Sequence, residues 1–512
     1  MKIKLSLIAL VPLLSIMIAL PAFSNPSDQG HTADTLTPSE QKFHHKVVLD
    51  QARRLADAPF EQRQPPVSSS LRQLTYDEYR DIRFNSDWGV WRHEQVRFRI
   101  DLLAAGFIYE QPVAVSIVES GIARDMQVKP EMFTAGPRVE NLPSTPLGLS
   151  GFRVRTRLNS PSVWDEFLVF QGASYFRAVS RGTIFGLSAR GLTIRTAHPA
   201  GEEFSAFIHF WIERPSANAA GIVIHALLDS PSTTGAYRFS IIPGANTVID
   251  VDLTLFPRLP LDHVGIAPLT SMFLFNASNR SRIDDFRDAV HDSDGLQVVS
   301  DNGEQIWRPL ANPTQLQIST FTAKAPQAFG LVQRAREPTD YHDLEANYHQ
   351  RPSAWVEPTG NWGAGAVNLV EIPTDNETND NIVAFWKPDE VISPGKPWRI
   401  AYRLRWGPVP PVSPTVGRAI AMRSGPSLDG KRRLFVVEFD HTTSFSEDLK
   451  MEATTSAGEL SNQVLQYNPL TRGVRASFEL DPKNNTVAEL FLRLTRDAKA
   501  VTETWLYRWT AD

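Results

Sequence analysis

The sequence predicts an all-β protein, built as an antiparallel sandwich or an open barrel. Short apolar runs of strand composition dominate the chain after about residue 110, and helical periodicity is confined to the N-terminal part. Turn residues recur roughly every 8–15 positions as far as the C terminus. This spacing is typical of antiparallel sheets whose strands are joined by short connections.

Two helices are predicted near the N terminus. Thr37 and Pro38 suit the N-cap and the first position of a helix whose apolar residues recur to about Ala58. A second, short helix is expected after Thr75, because Thr75 and Glu78 have the spacing of a capping box.

The remaining elements are predicted as strands. Asn302-Gly303 lies between two apolar runs and is a strong hairpin signal. The segment 360–365 is glycine-rich like a phosphate loop, but a strand follows it instead of a helix, so a turn is expected there. The clearest strand candidates are residues 113–118, 221–228, 237–242, 247–255, 298–299, 305–307, 366–370, 382–386, 434–439 and 487–492.

A proline-rich run marks the clearest domain boundary. Residues 407–415 contain four prolines, which cannot continue a sheet and which make a semi-rigid spacer. The predicted organisation is a leader at 1–24, a large domain at 25–406, the linker at 407–415 and a second domain at 416–512. The last segment has about the length of one immunoglobulin-like sandwich.

The composition excludes several classes of function. Lys and Arg total 52 against 57 Asp and Glu, a net charge of −5, which argues against non-specific binding to nucleic acid. The chain has no Cys, so disulfides, thiolate metal sites and cysteine nucleophiles are excluded.

The N terminus has the pattern of a Sec-type signal peptide. Lys2 and Lys4 precede an apolar run of about 16 residues, and Ala22 and Ser24 are the small residues expected before a cut. The run is shorter than the roughly 20 residues of a spanning helix, and no twin-arginine pair is present. We therefore expect a mature protein without a membrane span, exported to the periplasm of a Gram-negative bacterium.

Two acidic segments are candidates for chemistry. Four carboxylates lie in residues 371–381 between apolar strands, and crowded like charges raise the pKa of a carboxylic acid and suit it to general-acid work. The alternative is a solvated acidic loop. Residues 291–295 contain Asp292-Ser293-Asp294-Gly295, which is either half of a calcium loop or a plain turn.

A third candidate segment, residues 348–356, combines aromatic residues with an arginine. Tyr348, Arg351 and Trp355 suit sugar binding, in which rings stack on the sugar and charged groups bind its hydroxyls. The alternative is ordinary packing in a sandwich core. Together with the acidic segments, these residue types are those of a glycosidase, although each is common.

At these residues the chain resembles the periplasmic glucan biosynthesis proteins G and D. Its length and its Sec-type leader favour the G branch. The most specific matching stretches are residues 172–177, 186–192, 210–215, 226–231, 267–273, 351–355 and 371–381.

The resemblance implies a large N-terminal β-sandwich with a long cleft, and an immunoglobulin-like C-terminal domain. It also implies a role in making osmoregulated periplasmic glucans, whose backbone is β-1,2-linked glucose, and no metal or organic cofactor. Relatives of the D branch look like inverting endo-β-1,2-glucanases. Carried over by motif, their general acid corresponds to Asp380, their base to Asp292 and their cleft tyrosine to Tyr348.

Three further residues, Arg351, Trp355 and Trp362, are candidates for holding the glucan. The alternative function is a non-catalytic factor that binds nascent glucan and works with the inner-membrane glucan synthase. A calcium-dependent adhesin is a third hypothesis, and it depends only on residues 292–295.

Overall fold

The computed structural model describes residues 41–511, except 64–66, 140–141, 143–146, 324, 409 and 412–414. Nearly every element in this part of the chain is a β-strand. The helices His45–Ala56, Ser69–Arg72 and Tyr76–Tyr79, together with four single turns of 3-10 helix, are the exceptions. The all-β prediction is therefore confirmed.

The largest element is a sheet of sixteen strands, called here the long sheet. Its strands are antiparallel, apart from two parallel pairs, Ala114–Glu119 with Ala206–Glu213 and Gln305–Pro309 with Thr504–Thr510. In spatial order they are Gln41–Lys42, Ile122–Asp125, Ala114–Glu119, Ala206–Glu213, Ile222–Asp229, Thr233–Ile242, Thr247–Pro257, Trp398–Gly407, Ser353–Thr359, Ala328–Val332, Gly295–Val299, Gln305–Pro309, Thr504–Thr510, Val487–Arg496 and Lys450–Thr455, with Lys499–Ala500 beside Val487–Arg496.

A second sheet of ten strands, the ten-stranded sheet, packs against the long sheet. In spatial order its strands are Gln317–Ala323, Gly365–Glu371, Ile382–Pro388, Val264–Ser271, Ser188–Arg190, Tyr175–Ala178, Asp165–Gln171, Leu149–Thr156 and Arg99–Ala104, with Leu192–Ile194 beside Val264–Ser271. Two small sheets pair Phe273–Phe275 with Val290–His291 and Ile82–Phe84 with Phe133–Ala135.

The main core lies between these two large sheets. Phe170 and Phe176 of the ten-stranded sheet lie 5.3 and 5.5 Å from Phe239 of the long sheet, ring centroid to ring centroid. Phe152 meets Phe210 across the same space at 5.0 Å. All five side chains are at least 98% buried. Each such aromatic residue removes a large apolar surface from water, which stabilises the face-to-face packing.

The C-terminal part of the chain has its own buried cluster. Strands Ala419–Pro426, Arg433–Phe439, Gly473–Asp481 and Glu459–Asn468 form a four-stranded sheet. Phe435 and Phe478 of that sheet pack against Tyr507 and Trp505 at the end of the long sheet. The same cluster includes Trp307 and Trp355. The division into domains at 407–415 stays a prediction, and part of the proline-rich run lies outside the described residues.

The local predictions agree with most of these elements. The ten predicted strand segments all lie in observed strands apart from a residue at some ends, and the Asn302-Gly303 turn joins two paired strands with Gly303 at φ +84°. The capping box of Thr75 and Glu78 is present. The start predicted for the first helix is wrong, because residues 41–42 pair as a strand and the helix begins at His45.

Two expectations about the N terminus lie outside the described residues. These are the leader at 1–24 and the N-cap at Thr37. Within the part of the chain that is described, no helix has the length and apolar character needed to cross a membrane.

Candidate active site

Asp380 lies at the end of the acidic segment, just before strand Ile382–Pro388. Its side chain is 9% exposed, and its Oδ2 atom is 3.5 Å from Nη2 of Arg177. The same oxygen accepts a hydrogen bond of 3.4 Å from the hydroxyl of Ser188. The immediate partners of Asp380 are therefore a guanidinium group and a hydroxyl group contributed by the ten-stranded sheet.

The neighbouring residue, Asn381, fixes the position of Asp380. The side chain of Asn381 accepts from the backbone N–H of Phe273 at 2.8 Å and donates to the carbonyl of Phe273 at 3.0 Å. It also donates to the carbonyl of Ile372 at the start of the acidic segment. Because the amide satisfies the backbone of a separate strand, it holds the end of the segment in one place.

Asp292 follows strand Val290–His291 and is 6% exposed. Its Oδ1 atom lies 3.2 Å from Nη1 of Arg351, but it has no hydrogen bond of good geometry among the described residues. Burial raises the pKa of Asp292, while the charge of Arg351 opposes that shift and the charge of Asp380 adds to it. Asp292 and Asp380, which are far apart in the sequence, are therefore close enough in space to interact.

Arg351 is almost completely buried and holds several groups together. Its guanidinium group donates to the carbonyl of Phe185 at 2.7 Å and to that of Ala346 at 3.1 Å. The guanidinium carbon lies 5.1 Å from the ring centroid of Tyr348. Because Arg351 is only 2% exposed, its observed contacts are those of a positioning residue and not those of a sugar ligand.

Tyr348 lies in the same cluster and is 2% exposed. Its pKa is raised, first by burial and then by the charges of Glu377 and Asp292. The structure thus brings Tyr348, Arg351, Asp292 and Asp380 into one region, and the roles assigned to them stay predictions.

Trp355 and Trp362 are placed differently. Trp355 is 2% exposed in the C-terminal cluster, and Trp362 is 5% exposed beside Trp386 and Tyr402. The indole N–H of Trp362 donates to the carbonyl of Ala401. Both rings are therefore packed in cores in this structure and offer no open face for stacking on a sugar.

Two of the four carboxylates of the acidic segment are paired with arginines. Glu371 is fully buried and pairs with Arg308 at 2.9 Å, and it also accepts from the backbone N–H of Ala311. Glu377 pairs with Arg287 at 2.7 Å. The mutual repulsion expected from the sequence is therefore not present at these two residues, since each has its own cation.

Arg177 and Ser188 were not identified as site residues from the sequence. Nearby, Arg190 lies over the ring of Tyr175, at 4.5 Å from the centroid, and pairs with Glu202 at 2.7 Å. A signal was available, because residues 172–177 and 186–192 are among the stretches that carry the family resemblance.

Asp294, the second acid of the suspected calcium loop, is used within the fold. Its Oδ2 atom accepts from the backbone N–H groups of Arg334 and Ala335, at 2.5 and 2.7 Å. Its Oδ1 atom lies 3.3 Å from Nε2 of His291. Within the described ranges, no group of three or more His, Asp or Glu side chains is arranged to hold a metal ion.

The fold and the site define an all-β protein with one buried and one partly buried carboxylate, each beside an arginine. The family described as "Periplasmic glucan biosynthesis protein, MdoG" matches residues 43–509 of this chain. A "Glucans biosynthesis protein G" of Vibrio cholerae serotype O1 is 49% identical over 473 residues, which are 91% of this chain and 87% of that relative. "Glucans biosynthesis protein G 1" of Shewanella oneidensis is 48% identical over 500 residues, 96% of this chain and 92% of that protein. The chain therefore belongs to the periplasmic glucan biosynthesis protein family.

Proposed function

We propose that this protein acts in the periplasm on the β-1,2-glucan backbone, as an inverting endo-β-1,2-glucanase. One observation carries the proposal: Asp292 and Asp380, which flank different strands, each lie beside an arginine, and the charge of Asp380 contributes to the raised pKa of Asp292. Two carboxyl groups that face one substrate are the minimum machinery for glycoside hydrolysis. The family and the names of its relatives supply the class of substrate, a glucan.

In this proposal Asp380 donates a proton to the leaving glycosidic oxygen. Asp292 takes a proton from the water that attacks the opposite face of the sugar ring, so both carboxyl groups exchange their protonation states. A raised pKa brings Asp292 closer to the working pH, where a base is more effective. Arg177 and Arg351 hold the two carboxylates in place.

Activity is tested with linear β-1,2-glucan and three matched Asp→Asn variants. Asp380→Asn and Asp292→Asn are each expected to lower oligosaccharide release at least about 100-fold, because each removes a proton-transfer group. Asp375→Asn is the control, since Asp375 lies in the same acidic segment but is exposed. Proton NMR at early times should show the α-anomer at the new reducing end, as inversion requires.

Two outcomes would contradict this function. If Asp380→Asn releases oligosaccharides as fast as the native protein, Asp380 is not the general acid. If the β-anomer is the first product, the enzyme retains the anomeric configuration and the inverting mechanism is wrong. Binding of glucan without release, in the native protein and in the variants, would support the alternative, a glucan-binding factor that works with the inner-membrane synthase.

A further inference from the structure

A polar cavity lies at the edge of the ten-stranded sheet, apart from the candidate active site. Its volume is about 670 Å³, a size that accommodates a small ligand. It is formed where strands Arg99–Ala104, Leu149–Thr156 and Asp165–Gln171 begin or end. The walls include the ring of Trp164 and four arginine side chains, Arg97, Arg99, Arg157 and Arg181. We call the cavity formed by Trp164 and these four arginines the arginine pocket.

These four arginines have no carboxylate partner within 4.0 Å among the described residues. Arg181 donates through Nε to the carbonyl of Leu158 at 3.2 Å, and Arg99 donates to the carbonyl of Arg92 at 3.3 Å. One acid, Glu94, also lines the cavity, but its carboxylate lies 2.5 Å from Nη2 of Arg214. The cavity therefore has a strong excess of positive charge.

A second acid close to the cavity, Asp165 at the start of strand Asp165–Gln171, already has hydrogen-bond partners of its own. Asp165 accepts from the backbone N–H groups of Leu158 and Asn159 with one oxygen, and from the side chain of Asn159 with the other. Asp165 thus holds the loop next to Arg157 in place and does not neutralise the guanidinium groups of the four arginines.

Arg99 is in an unfavourable environment. Its Nε atom is buried and has no hydrogen-bond partner among the described residues. Burial lowers the pKa of Arg99, the charges of Arg92 and Arg157 lower it further, and the charge of Asp101 opposes the shift. A bound anion would offset the repulsion between Arg99 and its neighbours Arg92 and Arg157, so the environment is suited to an anion.

Trp164 orients the arginines. The guanidinium carbons of Arg99 and Arg157 lie over its indole ring, 3.8 and 5.0 Å from the centroid. In such a cation–π contact the planar group rests on the ring and its N–H edges stay available for another partner. The same ring offers an apolar surface to the uncharged part of a ligand.

We propose that the arginine pocket binds the phosphate group of a soluble phosphate ester. Several convergent guanidinium groups suit phosphate because each can donate two parallel N–H hydrogen bonds to its oxygens. Their positive charges also balance the charge of phosphate, which is as large as −2. The pocket shares none of its lining residues with the cluster of Asp292 and Asp380. Its test therefore does not depend on whether the protein cleaves glucan.

The proposal is tested by titration calorimetry on the native protein at constant ionic strength. The probes are inorganic phosphate and glucose 6-phosphate, with glucose as the uncharged control. Arg157→Gln and Arg97→Gln are the main variants, because both arginines are exposed and their loss should leave the fold intact. Arg399→Gln is the matched control, an exposed arginine in a strand of the long sheet.

Saturable binding of both phosphates is expected, weaker by about tenfold in each pocket variant and unchanged in Arg399→Gln. Sedimentation with phosphatidylglycerol and phosphatidylcholine vesicles distinguishes the source of the phosphate. Binding to phosphatidylglycerol vesicles that is lost in Arg157→Gln would move the ligand from a soluble ester to a lipid headgroup and overturn that part of the proposal. Absence of saturable phosphate binding, or equal binding by the pocket variants, would overturn the site itself.

Discussion

Arg351 shows how a single residue connects the site to the fold. It comes from the segment that the sequence assigned to sugar binding, yet its guanidinium group contacts two backbone carbonyls, the ring of Tyr348 and the carboxylate of Asp292. Gly186 leaves the space for its stem, because a Cβ there would lie 3.0 Å from Cδ of Arg351. The residue therefore links Asp292 to the segment before strand Ser188–Arg190, through the carbonyl of Phe185 and the contact with Gly186.

Removing this guanidinium group should be costly. Arg351→Gln leaves Asp292 buried without a cation, so we expect the free energy of unfolding to fall by about 3–5 kcal/mol. Adding Asp292→Asn should restore part of that loss, because the uncompensated charge is then removed. Urea denaturation of the native protein, the two single variants and the double variant measures this coupling. Strictly additive losses would show that the pair does not interact.

At the scale of single elements, the N-terminal helix is joined to the long sheet through two histidines. Nδ1 of His45, in helix His45–Ala56, lies 3.0 Å from Nδ1 of His225. The other ring nitrogen of His225 is 2.6 Å from Oε1 of Glu213. One of the two facing nitrogens must donate and the other accept, so the contact requires at least one neutral imidazole.

This contact predicts acid sensitivity of the helix. Burial, with the charges of His225 and Arg238, lowers the pKa of His45 from 6.5 to about 4, and Glu213 opposes the shift. The unfolded chain then binds more protons between those values, so the free energy of unfolding should decrease as the pH falls from 6.5 to 4. Because His45 is partly exposed, we expect a loss of about 1–2 kcal/mol.

Denaturation of the native protein and of His45→Gln across this range measures the effect. The pKa of His209 is also lowered to about 4, so the difference between the two proteins is the relevant quantity. His44→Gln is the control, since His44 is exposed and adjacent. Identical pH dependence in native protein and His45→Gln would contradict the prediction.

Elements with a local signal were predictable from the sequence. The strands and the Asn302-Gly303 hairpin were found because apolar runs and turn residues act over a few positions. The start of the first helix was missed because residues 41–42 pair with residues 122–123, which are distant in the sequence. Local propensity does not encode such a partner.

The site was only partly predictable for the same reason. Asp292 and Asp380 were proposed through the family motifs, and their roles stay predictions. Ser188 and Asp380 are 192 residues apart, and no local pattern connects them. Trp355 is packed in the core, which is the alternative that the sequence left open for residues 348–356. Trp362 lies between two strands, and no local pattern in the sequence signals its burial.

At the scale of the whole molecule, the C-terminal residues are joined to the rest by a continuous sheet. Ile306 pairs with Thr504, and Trp307 with Trp505, in a parallel ladder. Beside this ladder the fully buried Glu503 makes two contacts with Arg334, at 2.7 and 2.9 Å, and accepts from the side chain of Gln297. Arg334 also lies over the ring of Trp307, 3.5 Å from its centroid.

The buried pair of Glu503 and Arg334 should control whether residues 416–512 unfold together with the rest of the chain. Glu503→Gln leaves Arg334 without its counter-charge, so we expect the free energy of unfolding to fall by about 3–5 kcal/mol. Glu357→Gln is the matched control in the same sheet; because Glu357 and Arg405 are both about a quarter exposed, its loss should stay below about 1 kcal/mol. Calorimetry should show one transition in the native protein and a separate, earlier transition of residues 416–512 in Glu503→Gln. A single transition in that variant, at the native temperature, would mean that the sheet alone joins the two parts and that the ion pair contributes nothing.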